Sequence, residues 1–230
     1  MAPILFPLGG KRREAPQGAS AAMLILAGLG NPERQYAKNR HNIGFAAMQV
    51  IGLRWGFGPE RAKFSGLVAE GQIPTAAGPV KAITLRPQTY YNDSGQAVSA
   101  AMRFYKAEPA DVVVFYDEID LAPGRFRMKT GGGAAGNNGV RSIAAHIGPD
   151  FRRARLGTGH PGHKDLVMGH VLSDFSKAEL AWARPLLEAC AEALPLLAAG
   201  EDERYQAEVL RLAPAPKLDP RAATRGESAD

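Results

Sequence analysis

The chain of 230 residues is 45% hydrophobic and 22% charged, with a formal net charge of +5. These values are typical of a globular protein with one large core, and no apolar run approaches the roughly 18 residues that a membrane-spanning helix needs. The single cysteine, Cys190, excludes an internal disulfide and fits a reducing cytoplasm. Because Cys190 stands in an alanine-rich helical stretch, we expect it to be a buried core side chain.

The two ends of the chain differ in composition from the part between them. Residues 1–22 are predicted to be a flexible extension, and Met23, directly before the first strand, is a possible alternative start. In this extension the apolar stretch precedes the basic one, which is the reverse of a secretory signal. Residues 213–230, rich in Pro, Ala and Arg, are predicted to form a loose tail. The folded domain is therefore expected over residues 23–212.

Between these ends, strands and helices alternate along the chain. A long C-terminal helix is predicted to begin with a capping box of Ser176 and Glu179, and Pro185 and Pro195 should divide or kink it. The alternation predicts an α/β fold, a single-domain three-layer α/β/α sandwich around a mixed, mostly parallel twisted sheet. The predicted strands are residues 23–29, 64–69, 80–85, 112–116, 125–129 and 153–156, and the predicted earlier helices cover 43–51, 98–105 and 140–147.

Polar motifs stand next to several of these elements. A site of one histidine, one acid and several amides suits attack of water on an ester or amide, since histidine takes and returns a proton near pH 7 and asparagine binds without titrating. The motifs are Gly28-Leu29-Gly30-Asn31-Pro32, Asn39-Arg40-His41-Asn42-Ile43-Gly44, Gln88-Thr89-Tyr90-Tyr91-Asn92-Asp93-Ser94-Gly95, Tyr116-Asp117-Glu118-Ile119-Asp120 and Gly131-Gly132-Gly133-Ala134-Ala135-Gly136-Asn137-Asn138-Gly139.

His41 and Asp117 are the candidate proton-transfer pair. Asn31 and Asp117 are both predicted at the carboxyl ends of strands, where α/β sheets gather their ligands. An aspartate bonded to one imidazole nitrogen fixes the tautomer and leaves the other nitrogen to accept a proton. The alternatives are a capping or packing role for His41 and ordinary turn chemistry for the asparagines.

In these motifs the chain resembles the bacterial peptidyl-tRNA hydrolases. That family reads Gly-Leu-x-Asn-Pro-Gly, a Tyr, Thr-Arg-His-Asn-x-Gly, Lys-Pro-x-Thr-(Phe/Tyr)-Met-Asn-x-Ser-Gly, Asp-Glu-x-Asp-Leu-Pro-x-Gly and Gly-Gly-Gly-x-x-Gly-His-Asn-Gly. The order and approximate spacing are kept over residues 24–175. Three positions depart from the pattern: Glu33 stands in place of glycine, Tyr91 in place of methionine and Asn137 in place of histidine.

The resemblance implies a monomeric cytoplasmic enzyme without a cofactor, which cleaves the ester between the peptide and the terminal ribose of peptidyl-tRNA and so recycles tRNA. It implies His41 as general base on water and Asp117 as its orienting partner. Asn31 would position the peptide or the histidine, while Asn92 and Asn138 would orient the water or donate to the oxyanion. The candidates for contacts with the acceptor end and peptide are Tyr36, Tyr91, Asn92, Asn137, Asn138, Lys129 and Arg155.

Basic residues cluster in one third of the chain, beside the asparagine-rich loop. Such a cluster suits phosphate binding, and Lys129 and Arg155 are its candidates for phosphate contacts. The alternative is a solvated charged face. The cluster consists of Arg125, Arg127, Lys129, Arg141, Arg152, Arg153 and Arg155.

Other kinds of site fit the sequence less well. Glycines 131, 133 and 136 match a dinucleotide fingerprint, but the strand before them has a cationic face, whereas such a motif follows a buried strand. The sequence contains neither a Gly-x-Ser-x-Gly elbow nor a His-Glu-x-x-His pair. His160, His163 and Asp165 are possible metal ligands, although Pro161 and Gly162 indicate a loop. The second functional hypothesis is an RNA-binding protein on the same fold without hydrolase activity.

Overall fold

The computed structural model describes residues 23–217, which contain a seven-stranded mixed sheet. The spatial strand order is β2-β3-β4-β1-β5-β7-β6, and the neighbouring central strands β4, β1, β5 and β7 are parallel. The outer pairings β2 with β3, β3 with β4 and β6 with β7 are antiparallel. The strands are β1 (Leu24–Gly28), β2 (Arg61–Lys63), β3 (Gly66–Ile73), β4 (Val80–Pro87), β5 (Val112–Glu118), β6 (Phe126–Thr130) and β7 (Arg152–Gly157).

Helices cover both faces of the sheet, because the central strands are apolar on both sides. Along β1, Leu24 and Leu26 join one core with α1, α5, α6 and α7, while Ile25 and Ala27 join a second core with α2 and α3. The predicted three-layer α/β/α sandwich is therefore confirmed. The helices are α1 (Ile43–Arg54), α2 (Ser94–Tyr105), α3 (Asn138–Ile147), α4 (Val167–Val171), α5 (Lys177–Glu192), α6 (Leu194–Ala198) and α7 (Asp202–Leu212).

The parallel pairing of β1 and β5 brings two of the polar motifs to one edge of the sheet. Gly28 lies opposite Phe115 in this pairing, so the loop after β1 and the end of β5 are neighbours. The start of α1 packs directly on both strands. A Cβ on Gly28 would lie 2.1 Å from the Gly44 carbonyl oxygen, and one on Gly44 would lie 2.3 Å from that of Phe115. Glycine at both positions therefore allows the histidine motif before α1 to approach β5.

Two local predictions need correction. The strand predicted from residue 64 begins at Gly66, because Phe64 and Ser65 have φ of 56° and 53° and form the two-residue turn between β2 and β3. Of the division or kink predicted at Pro185, the division is absent: α5 continues through Pro185, which lies on the exposed side of the helix, where water can satisfy the carbonyl that lacks its amide partner. Pro195 does mark a division, because it stands in the first turn of α6, where no amide is needed.

The capping box and the buried cysteine are confirmed. Ser176 accepts a bond from the Glu179 amide, and its own amide donates to the Glu179 carboxylate. Cys190 is fully buried, and burial raises the pKa of its thiol to about 12. Within residues 23–217, no helix combines the length and the apolar character needed to span a bilayer.

The structure also bears on the predicted ends. Ala213 is buried and Pro216 packs against Gly124, so the first residues of the predicted tail lie on the domain. The predictions for residues 1–22, with the alternative start they imply, and for the tail beyond residue 217 lie outside the described residues.

Candidate active site

His41 and Asp117 are in direct contact. His41 lies in a 3-10 turn, Arg40–Asn42, immediately before α1, and its Nδ1 is 2.9 and 2.8 Å from the two carboxylate oxygens of Asp117. Asp117, at the end of β5, is buried, whereas the His41 side chain remains 18% exposed. Because a carboxylate only accepts hydrogen bonds, Nδ1 carries the proton in the neutral ring and Nε2 is left as the proton acceptor.

Arg40 anchors the turn that carries His41 to the C-terminal part of the domain. Its guanidinium binds the Glu179 carboxylate through two hydrogen bonds of 2.9 and 2.6 Å and donates to the carbonyls of His170 and Ser173. Burial raises the pKa of Glu179, but hydrogen bonds from Ser176 and the charge of Arg40 outweigh it and hold the pKa below its ordinary value. The sequence pattern did not predict this anchor, and its one available signal was the capping-box glutamate, Glu179.

A reciprocal pair of hydrogen bonds joins the loop after β1 to the same turn. The backbone amide of Asn31 donates to Asn42 Oδ1, and the backbone carbonyl of Asn31 accepts from Asn42 Nδ2, both at 2.8 Å. Asn42 is buried, so its side chain serves as a structural clamp on the backbone of Asn31. The adjacency of Asn42 to His41 was the signal that sequence analysis did not use.

Tyr91 lies on His41. The two rings are stacked with centroids 3.7 Å apart and planes 15° apart, and the Tyr91 hydroxyl donates to Asp117 Oδ1 at 3.2 Å. Asn137 Nδ2 donates to the same hydroxyl at 3.0 Å. Burial, then the negative charge of Asp117, raises the pKa of Tyr91 well above its ordinary value, so the phenol stays neutral. The face of the Tyr91 ring that packs on His41 is not available for stacking on a sugar or base. A contact of Tyr91 with the substrate stays a prediction.

An open cavity of about 750 Å³ unites the candidate catalytic residues. Its volume is in the range of small-molecule sites. The cavity lining includes Asn138, the first residue of α3, and the N-terminal end of a helix favours negative charge. His41, Asp117, Asn31, Asn92 and Asn138 all line it, together with Tyr91 and Asn137.

One wall of the cavity comes from residues 160–172, a segment that sequence analysis did not assign to the site. The wall is largely apolar, and Met168 is 72% exposed on it. The spacing of Val167 with Val171 and of Met168 with Leu172, four residues each, was the available signal for a helical apolar face. The residues of this wall are His160, Lys164, Val167, Met168, Val171 and Leu172.

The predicted basic cluster divides into buried and exposed residues. Arg152 pairs with Asp202, and Arg153, 1% exposed, donates to the carbonyls of Gly132 and Gly133 at 2.8 and 2.7 Å. These two arginines are therefore internal supports of the structure, contrary to the cluster prediction. Arg155 donates to Glu118 at 2.9 Å and remains 20% exposed. The exposed members are Arg125, Arg127, Lys129 and Arg141.

The remaining candidates lie away from these contacts. Tyr36 is half-buried in a 3-10 turn, Arg34–Tyr36, and is not one of the cavity's lining residues. Lys129 is exposed on β6 and is likewise not a lining residue. Among residues 23–217, no group of three or more His, Cys, Asp or Glu side chains is placed to hold a metal ion. The roles of Tyr36 and Lys129 in binding stay predictions.

Comparison with known proteins identifies the family. A profile of the family described as "Peptidyl-tRNA hydrolase" matches residues 25–215. The chain is 70% identical to the peptidyl-tRNA hydrolase of Phenylobacterium zucineum over 89% of this chain and 98% of that protein. It is 64% identical to that of Caulobacter vibrioides over 86% and 97%. The chain belongs to the peptidyl-tRNA hydrolase family.

Solved structures of family members share this fold. The crystal structure of the peptidyl-tRNA hydrolase from Acinetobacter baumannii aligns with a TM-score of 0.78 at 36% sequence identity, covering 86% of this chain and 99% of that one.

The structure shows where the three residues that depart from the peptidyl-tRNA hydrolase pattern lie. Glu33 is exposed with φ of −70°, a backbone conformation open to any residue, so glycine is not required there. Tyr91 and Asn137 touch each other.

Proposed function

We propose that this chain hydrolyses the ester bond between the peptide and the terminal ribose of peptidyl-tRNA, releasing tRNA and peptide. The observation that carries the proposal is the His41–Asp117 contact on a cavity lined by Asn31, Asn92 and Asn138. This is a positioned base with an orienting acid, in a cleft that offers several neutral hydrogen-bonding groups. The family membership supports the same reaction.

In the proposed mechanism His41 acts on water. Nε2 takes a proton as the water oxygen attacks the ester carbonyl carbon, and the carbonyl oxygen becomes negatively charged. When the tetrahedral intermediate collapses, the ribose oxygen leaves and takes the proton back from the imidazolium. Asp117 holds the ring in the correct tautomer and stabilises the imidazolium, as a buried carboxylate does in a hydrolytic triad.

The charge on the carbonyl oxygen needs donors. Asn92 and Asn138 are the candidates because they are exposed to the cavity, next to the N-terminal ends of α2 and α3. Asn31 is the candidate for positioning the peptide, since its backbone is held by Asn42 next to His41. The apolar wall that includes Val167, Met168 and Leu172 offers contact surface to peptide side chains.

We assign tRNA contacts to exposed cations outside the cavity, with Lys129 as the first candidate and Arg155 as a second, partly occupied by Glu118. Tyr36 is retained as a tRNA-contact candidate through the family resemblance. The protein is proposed to act as a monomer in the cytoplasm, on the acceptor end of peptidyl-tRNA and without a cofactor, and so to return tRNA to translation.

The test is hydrolysis of an N-acetylaminoacyl-tRNA by the purified protein, with the unblocked aminoacyl-tRNA as comparison and no added metal. We expect release of tRNA from the blocked substrate, with the unblocked one cleaved much more slowly. His41→Ala should lower turnover by roughly a hundredfold or more while tRNA binding survives. His163→Ala is the matched control, because His163 is exposed and is not a lining residue of the cavity. Binding without any hydrolysis by the unaltered protein would favour the RNA-binding alternative, which leaves the His41–Asp117 contact without a role.

A further inference from the structure

A continuous chain of hydrogen bonds runs from the backbone of α3 to His41. The Val140 amide at its start determines which group donates in the bonds of Asn137 and Tyr91. The Val140 amide donates to Asn137 Oδ1 at 3.0 Å, where Asn137 is the N-cap of α3. A backbone amide can only donate, so the Asn137 side chain must present its NH2 group to Tyr91. The Tyr91 oxygen accepts this bond, and its proton points to Asp117.

We propose that Tyr91 is a positioning residue for the His41–Asp117 pair, that Asn137 orients the Tyr91 hydroxyl, and that these two residues act as one unit. This inference rests on the proposed function, and it gives Tyr91 and Asn137 a role other than contact with tRNA. These are two of the three positions at which the chain departs from the family pattern, with tyrosine for methionine and asparagine for histidine. Their contact makes the two departures one coupled change.

The Tyr91 hydroxyl acts on the charge of Asp117. Asp117 Oδ1 receives a bond from Tyr91 at 3.2 Å, and His41 Nδ1 lies 2.9 Å from Oδ1 and 2.8 Å from Oδ2, so both donors contact the same carboxylate. A bond from a neutral phenol withdraws negative charge from the carboxylate. The bond therefore opposes the stabilisation of the imidazolium by the carboxylate, and its removal should strengthen that stabilisation.

The Tyr91 ring acts on the orientation of His41. Stacking at 3.7 Å with nearly parallel planes restricts rotation of the imidazole out of the Asp117 plane. Gly139 makes room for this ring, because a Cβ at residue 139 would lie 2.6 Å from Tyr91 Cε1. The same glycine-rich loop therefore supplies both the space for the ring and, through Asn137, the bond to its hydroxyl.

The other titratable groups around the cavity are placed differently. Among the described residues, Asp117 is the acid in hydrogen-bond contact with His41. Glu118 lines the cavity but is paired with Arg155. His160 and Lys164 lie on the wall formed by residues 160–172. A change confined to the Tyr91 hydroxyl leaves all three in place, so its effect on the pH profile reports on the His41–Asp117 pair.

The test is Tyr91→Phe, which keeps the ring and removes the hydroxyl. We expect the acidic limb of the kcat/KM profile to move up by about half a pH unit or more, since one net hydrogen bond is worth that much to a titrating neighbour. This is about a threefold loss on the acidic side. Tyr105→Phe is the control, because its hydroxyl contacts Glu70 and Lys63 instead.

A second variant tests the coupling. Asn137→Ser keeps an oxygen that can cap α3 but is too short to reach the Tyr91 hydroxyl. We expect a shift in the same direction as in Tyr91→Phe, and no further shift when both changes are combined. Additive shifts would show that the two residues act independently, and a loss of kcat/KM that is equal at every pH and accompanied by a lower melting temperature would show that they only pack. Either result would overturn the proposal.

An activity-independent measurement separates this inference from the proposed function. The His41 imidazole can be followed by NMR during a pH titration of the free protein. We expect its midpoint to move upward in Tyr91→Phe, by the same amount as the kinetic limb. An unchanged midpoint would overturn the positioning role even in an active hydrolase. A shifted midpoint in a protein without hydrolase activity would instead contradict the proposed function alone.

Discussion

The guanidinium of Arg40 binds the carboxylate of Glu179 side-on, with hydrogen bonds of 2.9 and 2.6 Å between residues 139 positions apart. Both side chains are largely buried, at 10% and 21% exposure. Arg40 precedes His41 and Glu179 belongs to the first turn of α5, so this ion pair ties the candidate base to the helical layer behind the sheet.

Removing Arg40 should destabilise the fold. In Arg40→Ala, Glu179 loses its partner and the carbonyls of His170 and Ser173 lose a donor. We expect a loss of about 2 kcal/mol in the free energy of unfolding, the usual effect of hydrogen bonds to charged groups, measured by urea denaturation. Arg54→Ala is the matched control, because its ion pair with Glu192 is about half exposed. Equal denaturation midpoints for the two variants would contradict the anchoring role of Arg40.

The Glu179 carboxylate should also make stability depend on pH. Burial alone would raise its pKa, but Ser176 and Arg40 hold it below the ordinary value, so folding favours the ionised form. The resulting stabilisation is present above the pKa of the unfolded chain and is lost as the pH falls through the lower pKa of the folded state. We expect the difference in unfolding free energy between the unaltered protein and Glu179→Gln to shrink over this acidic window. A difference that stays constant from neutral pH through the acidic window would exclude the linkage.

Asp117→Asn tests the orienting acid. An asparagine at residue 117 offers one acceptor to two donors, His41 Nδ1 and the Tyr91 hydroxyl, and its NH2 group opposes one of them. His41 is then favoured in the tautomer with the proton on Nε2, which cannot accept a proton from water. We expect turnover to fall roughly a hundredfold or more, with little change in melting temperature. Single-turnover assays at saturating enzyme would measure this, and near-normal turnover would contradict the pairing.

Lys129→Ala tests whether tRNA binds across the surface of β6 that carries Lys129. If Lys129 contacts a phosphate, its removal should raise the apparent KM and reduce the log–log salt slope of binding by about 0.7 to 0.9. Turnover at saturation should be kept, because this contact is shared by ground and transition states. Lys81→Ala is the control, because Lys81 is exposed on β4, which β1, β5 and β7 separate from the β6 strand of Lys129. Equal slopes for both variants would mean that tRNA crosses another surface.

Arg155→Ala should behave differently from Lys129→Ala. Its guanidinium holds Glu118, a buried residue that lines the cavity, so its loss leaves an uncompensated acid beside the site. We expect kcat to fall as well as the affinity for tRNA, measured in the same assays. An effect on affinity alone would indicate that Glu118 finds another partner and that Arg155 is mainly a phosphate contact.

The sequence by itself determined the features that depend on local patterns. Apolar runs in the strands and the three-to-four residue spacing in the helices predicted the layered fold, because these periods decide which faces are buried. The Ser176–Glu179 capping box was readable for the same reason, since both partners lie within one turn. The predicted strand ends placed Asn31 and Asp117 at one edge of a parallel sheet, and the resemblance to the peptidyl-tRNA hydrolases paired Asp117 with His41.

The tertiary structure alone decided which side chains from distant parts of the chain meet. Arg152 and Arg153 read as surface charge in the sequence, yet Asp202 and the carbonyls of the glycine-rich loop enclose them. The stack of Tyr91 on His41 and its bond to Asp117 join three separate motifs. Such contacts depend on strand register and on how closely helices approach the sheet, to within an ångström. Local periodicity does not encode those distances, because they are set by packing across the whole core.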